Sequence, residues 1–218
     1  MTRRFDLIVF DWDGTLFDST RLITRCIQAA CADVGTTVPS DRDASFVIGL
    51  GLADALRLAA PELPQERYGE LGERYRQHYL ASLDDIVLFE GTLEMLSALR
   101  ERNHSLAVAT GKNRRGLDDA LRRSVLGGYF DATRTADETA SKPDPLMLRE
   151  LMRELGSVAE RTLMIGDTTH DLQLAANAGC ASVAVSFGAH SPEEFARFQP
   201  LHVAHSTADL AAWLARHA

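Results

Sequence analysis

A chain of 218 residues, 45% hydrophobic and 25% charged, can bury one sizeable core with a smaller unit attached and has the make-up of a water-soluble globular protein. Its 31 acidic and 23 basic residues leave a net charge of −8, which excludes the basic stripe that a nucleic acid or an anionic membrane surface requires. Cys26, Cys31 and Cys180 show no metal-ligand spacing, and no apolar run reaches signal-peptide or membrane-span length, so a cytoplasmic protein with no nucleic-acid or membrane partner is expected.

The first predicted element is a buried strand, "DLIVF" (6–10), which runs into Asp11 and Asp13 and turns at Gly14. Residues 18–87 then read as helix throughout. Leu22, Ile23, Cys26, Ile27, Ala30 and Val34 recur at helical spacing, as do Tyr68, Leu71, Tyr75 and Tyr79. Within this stretch "GLGLAD" (49–54) follows no strand and lacks the third glycine of a dinucleotide-binding loop, so it is not read as one. Beyond it, apolar runs alternate with amphipathic helical patterns. The strands are "SLAVAT" (105–110), "TLMIG" (162–166), "ASVAVS" (181–186) and, more weakly, "YFDATRT" (129–135) and "HVAHS" (202–206). The helices include 92–103, 145–156 and 207–218. This pattern predicts an α/β fold, a doubly wound parallel sheet formed by residues 1–17 and 88–218, with an all-helical domain at 18–87 inserted after the first strand.

The chemistry gathers where strands end. In an extended segment Asp11 and Asp13 point to the same side, and two carboxylates about 6 Å apart repel by roughly 3 kcal/mol at an effective dielectric of 20. A nearby cation or a retained proton makes such a pair affordable. "ATGK" sets Thr110 and Gly111 at another strand end, a hydroxyl and backbone amides suited to phosphate. "SKPDP" sets Lys142 before a helix for which Asp144 is the expected N-cap and Pro145 the first residue. Lysine itself is rare here: 21 of the basic residues are arginine, and only Lys112 and Lys142 are lysine. "GDTTHD" adds Asp167 at a strand end and Asp171 near the next helix start, while His170 between them is read as a surface residue and not a ligand. In open α/β sheets the site lies beyond the carboxyl ends of the strands, where these groups converge. Four aspartates against one lysine leave −3, and an all-oxygen donor set suits Mg²⁺ better than zinc.

In this order, "DWDGTLFDS", "ATGK", "SKPDP" and "GDTTHD" resemble the four motifs of the haloacid dehalogenase superfamily, and the insert resembles the small helical cap of its phosphoglycolate phosphatase-like branch. The resemblance implies a Mg²⁺-dependent phosphatase acting on a small phosphorylated metabolite. Asp11 would be the nucleophile, forming an aspartyl-phosphate, and Asp13 the acid and then the base. Mg²⁺ would be held by Asp11, the Asp13 carbonyl and Asp167, with Asp171 behind or beside it. Thr110 and the Gly111 amide would bind phosphoryl oxygens, and Lys142 would offset charge.

Asp13 and a lysine-free insert argue against the dehalogenase and phosphonate-hydrolase branches. A β-phosphoglucomutase-like transferase, an inorganic pyrophosphatase and a binding-only relative are the alternatives. Arg42 and Arg57 are the insert arginines considered for a mutase's second phosphate, and exposed helical arginines are the simpler reading. The insert loop "IGLGLADAL" (48–56), with Gly49, Leu50 and Gly51, resembles the substrate loop of the branch and would offer backbone amides to a small anion such as 2-phosphoglycolate. Phe17 is read as packing in the hinge.

Overall fold

The structure is a computed structural model that describes residues 4–218; residues 1–3 of the basic start lie outside the described residues. Six parallel strands form the main sheet: β1 (Leu7–Phe10), β4 (Ser105–Thr110), β5 (Ala132–Thr135), β6 (Thr162–Gly166), β7 (Ala181–Val185) and β8 (Val203–Ala204). Their spatial order is β5-β4-β1-β6-β7-β8. The chain first builds outward from β1 through β4 and β5, then crosses back to lay β6 on the other side of β1. The β1/β6 boundary is therefore the topological switch point, the place where such sheets hold their ligands.

Both faces of the sheet are covered, which explains the near-continuous apolar strands. Ile8 and Phe10 face one cluster with Leu96 and Leu99 of α5 (Thr92–Glu101) and Leu210 and Trp213 of α9 (Thr207–His217). Leu7 and Val9 point the other way, to Met147, Leu148 and Leu151 of α7 (Leu146–Leu155) and Leu174 and Ala175 of α8 (Thr169–Ala178). This alternation is the period of two that a strand imposes. Several predicted boundaries move by a few residues, and at α7 the cap moves with them: the helix begins at Leu146, with Pro145 as its cap, while the Asp144 Oδ1 accepts from the Leu146 amide at 2.9 Å.

Between β1 and the rest of the sheet the chain forms α1 (Thr20–Asp33), α2 (Asp41–Phe46), α3 (Leu52–Ala59) and α4 (Tyr68–Ala81). These helices enclose their own apolar cluster, including Ile23, Ile27, Ala44, Ile48, Leu56 and Leu71, with Cys31 buried in it. The chain leaves and returns through a two-stranded antiparallel ladder, β2 (Phe17–Asp18) against β3 (Val87–Leu88). The ladder straddles both predicted edges of the helical segment. Pairing of so few residues is enough to fix where the insert is tethered because Phe17 is buried and stacks on Trp12, ring centroids 4.7 Å apart. Phe17 thus packs, as expected.

Candidate active site

At the carboxyl end of β1 the Asp11 amide still donates to the Ile165 carbonyl at 2.9 Å, so the strand delivers this side chain in a fixed direction. The Asp11 carboxylate is buried. Its Oδ1 lies 2.7 Å from the Lys142 ammonium, and neither oxygen otherwise accepts a hydrogen bond. Burial, opposed by Lys142, pushes its pKa up to about 7. Two residues on, Asp13 is held at both oxygens: the Ser19 hydroxyl donates to Oδ1 at 2.7 Å, and Lys112 Nζ sits 2.9 Å from Oδ2. Gly14, the next residue, turns the chain with φ +79°, and a side chain there would collide with Asp167.

β6 supplies the other half. Asp167 is fully buried, accepting from the Thr15 hydroxyl at 2.9 Å and from the Ala189 amide at 2.7 Å. Burial, then the Asp11 and Asp171 charges, raises its pKa well above the carboxylate range. Asp171 belongs to the first turn of α8 and completes a capping box with Thr168, whose amide and hydroxyl donate to Oδ2 at 3.1 and 2.7 Å. Its Oδ1 accepts from Lys142 at 2.6 Å. Lys142 therefore bridges Asp11 and Asp171. Burial works against its charge, but the two carboxylates outweigh burial and raise its pKa. One oxygen each of Asp11, Asp167 and Asp171 lies within 4.8 Å of the others. Three buried carboxylates so close, with the Asp11 Oδ2 undonated, fit a divalent cation held by oxygen.

The structure thus brings Asp11, Asp13, Lys142, Asp167 and Asp171 together. Thr110, buried at the end of β4, accepts from the Lys112 amide at 3.2 Å, and Gly111 follows it. The insert loop meets this point differently from the expectation. The Gly51 amide donates to the Ser141 hydroxyl at 2.8 Å, and the Gly49 and Leu50 carbonyls press over Gly111, where any side chain would collide with them. Against Gly111 the loop thus sets carbonyls, while the Gly51 amide is spent on Ser141 and the Leu50 amide on the Val47 carbonyl. His170 is also corrected: it is half-buried between insert and sheet, donating with His190 to the same Phe46 carbonyl at 2.8 and 2.9 Å. The insert seats its Phe46 ring against both imidazoles, at 5.3 Å from the His170 ring and 5.1 Å from the His190 ring. Arg42 and Arg57 pair with Glu194 and Asp54 at the surface.

Some functional groups escaped the sequence reading. Gly188 is one: a side chain there would run into Asp167. Gly188→Ala is expected to displace Asp167 and cut phosphate release at least tenfold while the circular-dichroism spectrum keeps its helical content; unchanged activity would show that Asp167 has room to move. Ser19 and Lys112, the partners of Asp13, are the others. Their signal was present in part, since Lys112 is one of only two lysines.

Fold and site together define an α/β enzyme that gathers carboxylates and lysines at the switch point of a parallel sheet. The family model for haloacid dehalogenase-like hydrolases matches residues 8–185, and the chain belongs to that family. A 5'-nucleotidase of Pseudomonas aeruginosa is 34% identical, over 96% of this chain and 94% of the relative. The pyrophosphatase PpaX of Halalkalibacterium halodurans is 32% identical, over 93% and 94%. A crystal structure described as a predicted phosphoglycolate phosphatase from Haemophilus somnus superposes with a TM-score of 0.84 at 25% identity, covering 97% of this chain and 99% of that one. The chain is a phosphatase of this family, similar to relatives that are named for different substrates. Among the described residues no helix is long and apolar enough to cross a membrane.

Proposed function

We propose that the protein is a Mg²⁺-dependent phosphatase of small phosphate monoesters that works through an aspartyl-phosphate on Asp11. The observation that carries this reading is the Asp11 carboxylate itself: buried, short of hydrogen-bond donors, and set 2.7 Å from the Lys142 ammonium. An oxygen left without a donor, Oδ2 here, keeps its lone pairs for a bond to phosphorus. Asp11, the Asp13 carbonyl and Asp167 would hold Mg²⁺, with Asp171 beside them, and the ion would supply charge that lets an anionic nucleophile approach an anionic ester.

The chain's own residues do the rest. An Asp11 oxygen bonds to phosphorus as the ester P–O bond breaks, and the leaving oxygen takes that electron pair and a proton from Asp13. Water then attacks the phosphorus of the aspartyl-phosphate, Asp13 takes a proton from it, and phosphate leaves with Asp11 restored. Thr110 and the Gly111 amide hold phosphoryl oxygens, and Lys142 offsets their charge. Residues 18–87 act as a cap over the core of 1–17 and 88–218. Asp11 and Lys142 are each 1% exposed, so the ester must be small or the cap must lift.

The test is phosphate release from 2-phosphoglycolate, pyrophosphate, sugar phosphates, nucleotides and an aryl phosphate, with Mg²⁺ and with a chelator. Release that needs the metal, fastest for one ester class, is the expected result. Equal rates with chelator, or no release from any ester, would overturn the reading.

A further inference from the structure

The two lysines divide the catalytic aspartates between them. Lys142 serves Asp11 and Asp171 and is sealed in, with 0% side-chain exposure. Lys112 serves Asp13, and this pair is the more open one, each side chain being 12% exposed. Lys112 also donates to the Tyr79 hydroxyl at 2.8 Å and lies 4.9 Å from the centre of that ring. Tyr79 comes from α4 of the insert and stacks on Tyr75, centroids 5.9 Å apart. An ammonium has three N–H donors, and those two contacts leave one without a partner among the described residues.

In the reaction proposed above, on which this inference rests, Asp13 meets the oxygen of the leaving group. Whatever is bonded to that oxygen must lie against the neighbours of Asp13 on the accessible side, and these are Lys112 and Tyr79. A compact ammonium fixed by a phenol reads a point charge. We propose that Lys112, anchored by Tyr79, is a specificity determinant that selects phosphate compounds whose leaving group itself carries an anion, a carboxylate or a second phosphate. A neutral alkyl group in the same place leaves the third donor unused, and a polar site rejects the analogue that cannot satisfy it. The insert thereby enters substrate choice through one hydroxyl that holds a core lysine in place.

A matched pair of esters tests this. 2-Phosphoglycolate and ethyl phosphate share a two-carbon leaving group and differ by the carboxylate; pyrophosphate is the phosphate arm. The wild type is expected to favour a charged compound over ethyl phosphate by about tenfold or more in kcat/KM. Lys112→Met slows every compound, because Asp13 loses a partner, but lowers the charged-to-neutral ratio at least tenfold further, mostly through KM. Tyr79→Phe, which removes one hydroxyl and leaves the fold alone, lowers that ratio about threefold. Whether the carboxylate or the phosphate arm responds names the source of the anion, and either supports the proposal. A wild type without preference, or a ratio unchanged in Lys112→Met, overturns it. If Lys112→Met does not fold, an unchanged ratio in Tyr79→Phe overturns it in the same way. A wild type that prefers the charged compounds while both variants slow all substrates equally reduces Lys112 to a support for Asp13 and overturns selection, leaving the phosphatase reading intact. No turnover of any compound overturns that reading and this proposal together.

Discussion

Asp11→Asn is expected to lower phosphate release by about ten-thousand-fold or more while leaving thermal stability within a few degrees of the wild type. The two halves of this result have separate causes. Asparagine keeps the shape of the side chain but offers phosphorus only a weakly nucleophilic amide oxygen, so no aspartyl-phosphate forms. For stability, burial is the leading effect on Asp11, and it disfavours the charge that the amide removes. Lys142 gives up one carboxylate at 2.7 Å but keeps Asp171 at 2.6 Å, so its ammonium is not orphaned. Paired measurements of phosphate release and the unfolding midpoint check both halves, and acid-quenched mass spectrometry should find a phosphorylated wild type and an unmodified variant. Retained turnover would remove Asp11 from the chemistry. Lost turnover with a collapsed midpoint would make its role structural.

How far the site was legible follows from how far each residue sits from its partner along the chain. Asp11, Thr110 and Asp167 each stand at the end of an apolar run, and a parallel sheet aligns strand ends without any help from distant sequence. Asp171 was legible because a capping box is local: Thr168 and Asp171 satisfy each other within three residues. The lysine beside Asp13 and the tyrosine that holds it were harder. Lys112 and Tyr79 are 33 residues apart, and what joins them is the seating of the insert on the sheet, which no local pattern encodes. The insert loop shows the same limit from another side. Its glycines and its position could be read, but whether amides or carbonyls face Gly111 depends on the backbone turn at Gly49, where φ is +93°. His170 was read from its own neighbours in sequence, whereas the residue that decides its environment, Phe46, lies 124 positions away.

Lys142→Met should have the opposite profile to Asp11→Asn, losing stability as well as activity. The ammonium is completely enclosed, with Asp11 and Asp171 oxygens at 2.7 and 2.6 Å, and removing it leaves two buried carboxylates facing each other and Asp167. Breaking a buried ion pair from one side costs about 3–5 kcal/mol, because the charge left behind has neither water nor counter-ion. Phosphate release should fall at least a hundredfold on top of that, since nothing then screens the nucleophile from the phosphate it approaches. Arginine should not rescue it: a planar guanidinium is wider than the slot between two oxygens placed for a single nitrogen. Mg²⁺ supplies the diagnostic. A divalent cation bound among Asp11, Asp167 and Asp171 replaces part of the missing charge, so adding it should raise the unfolding midpoint more in Lys142→Met than in the wild type. Equal shifts in the two proteins would mean that the metal and the lysine do not answer the same carboxylates, and the assignment of the three aspartates to a cation site would fall.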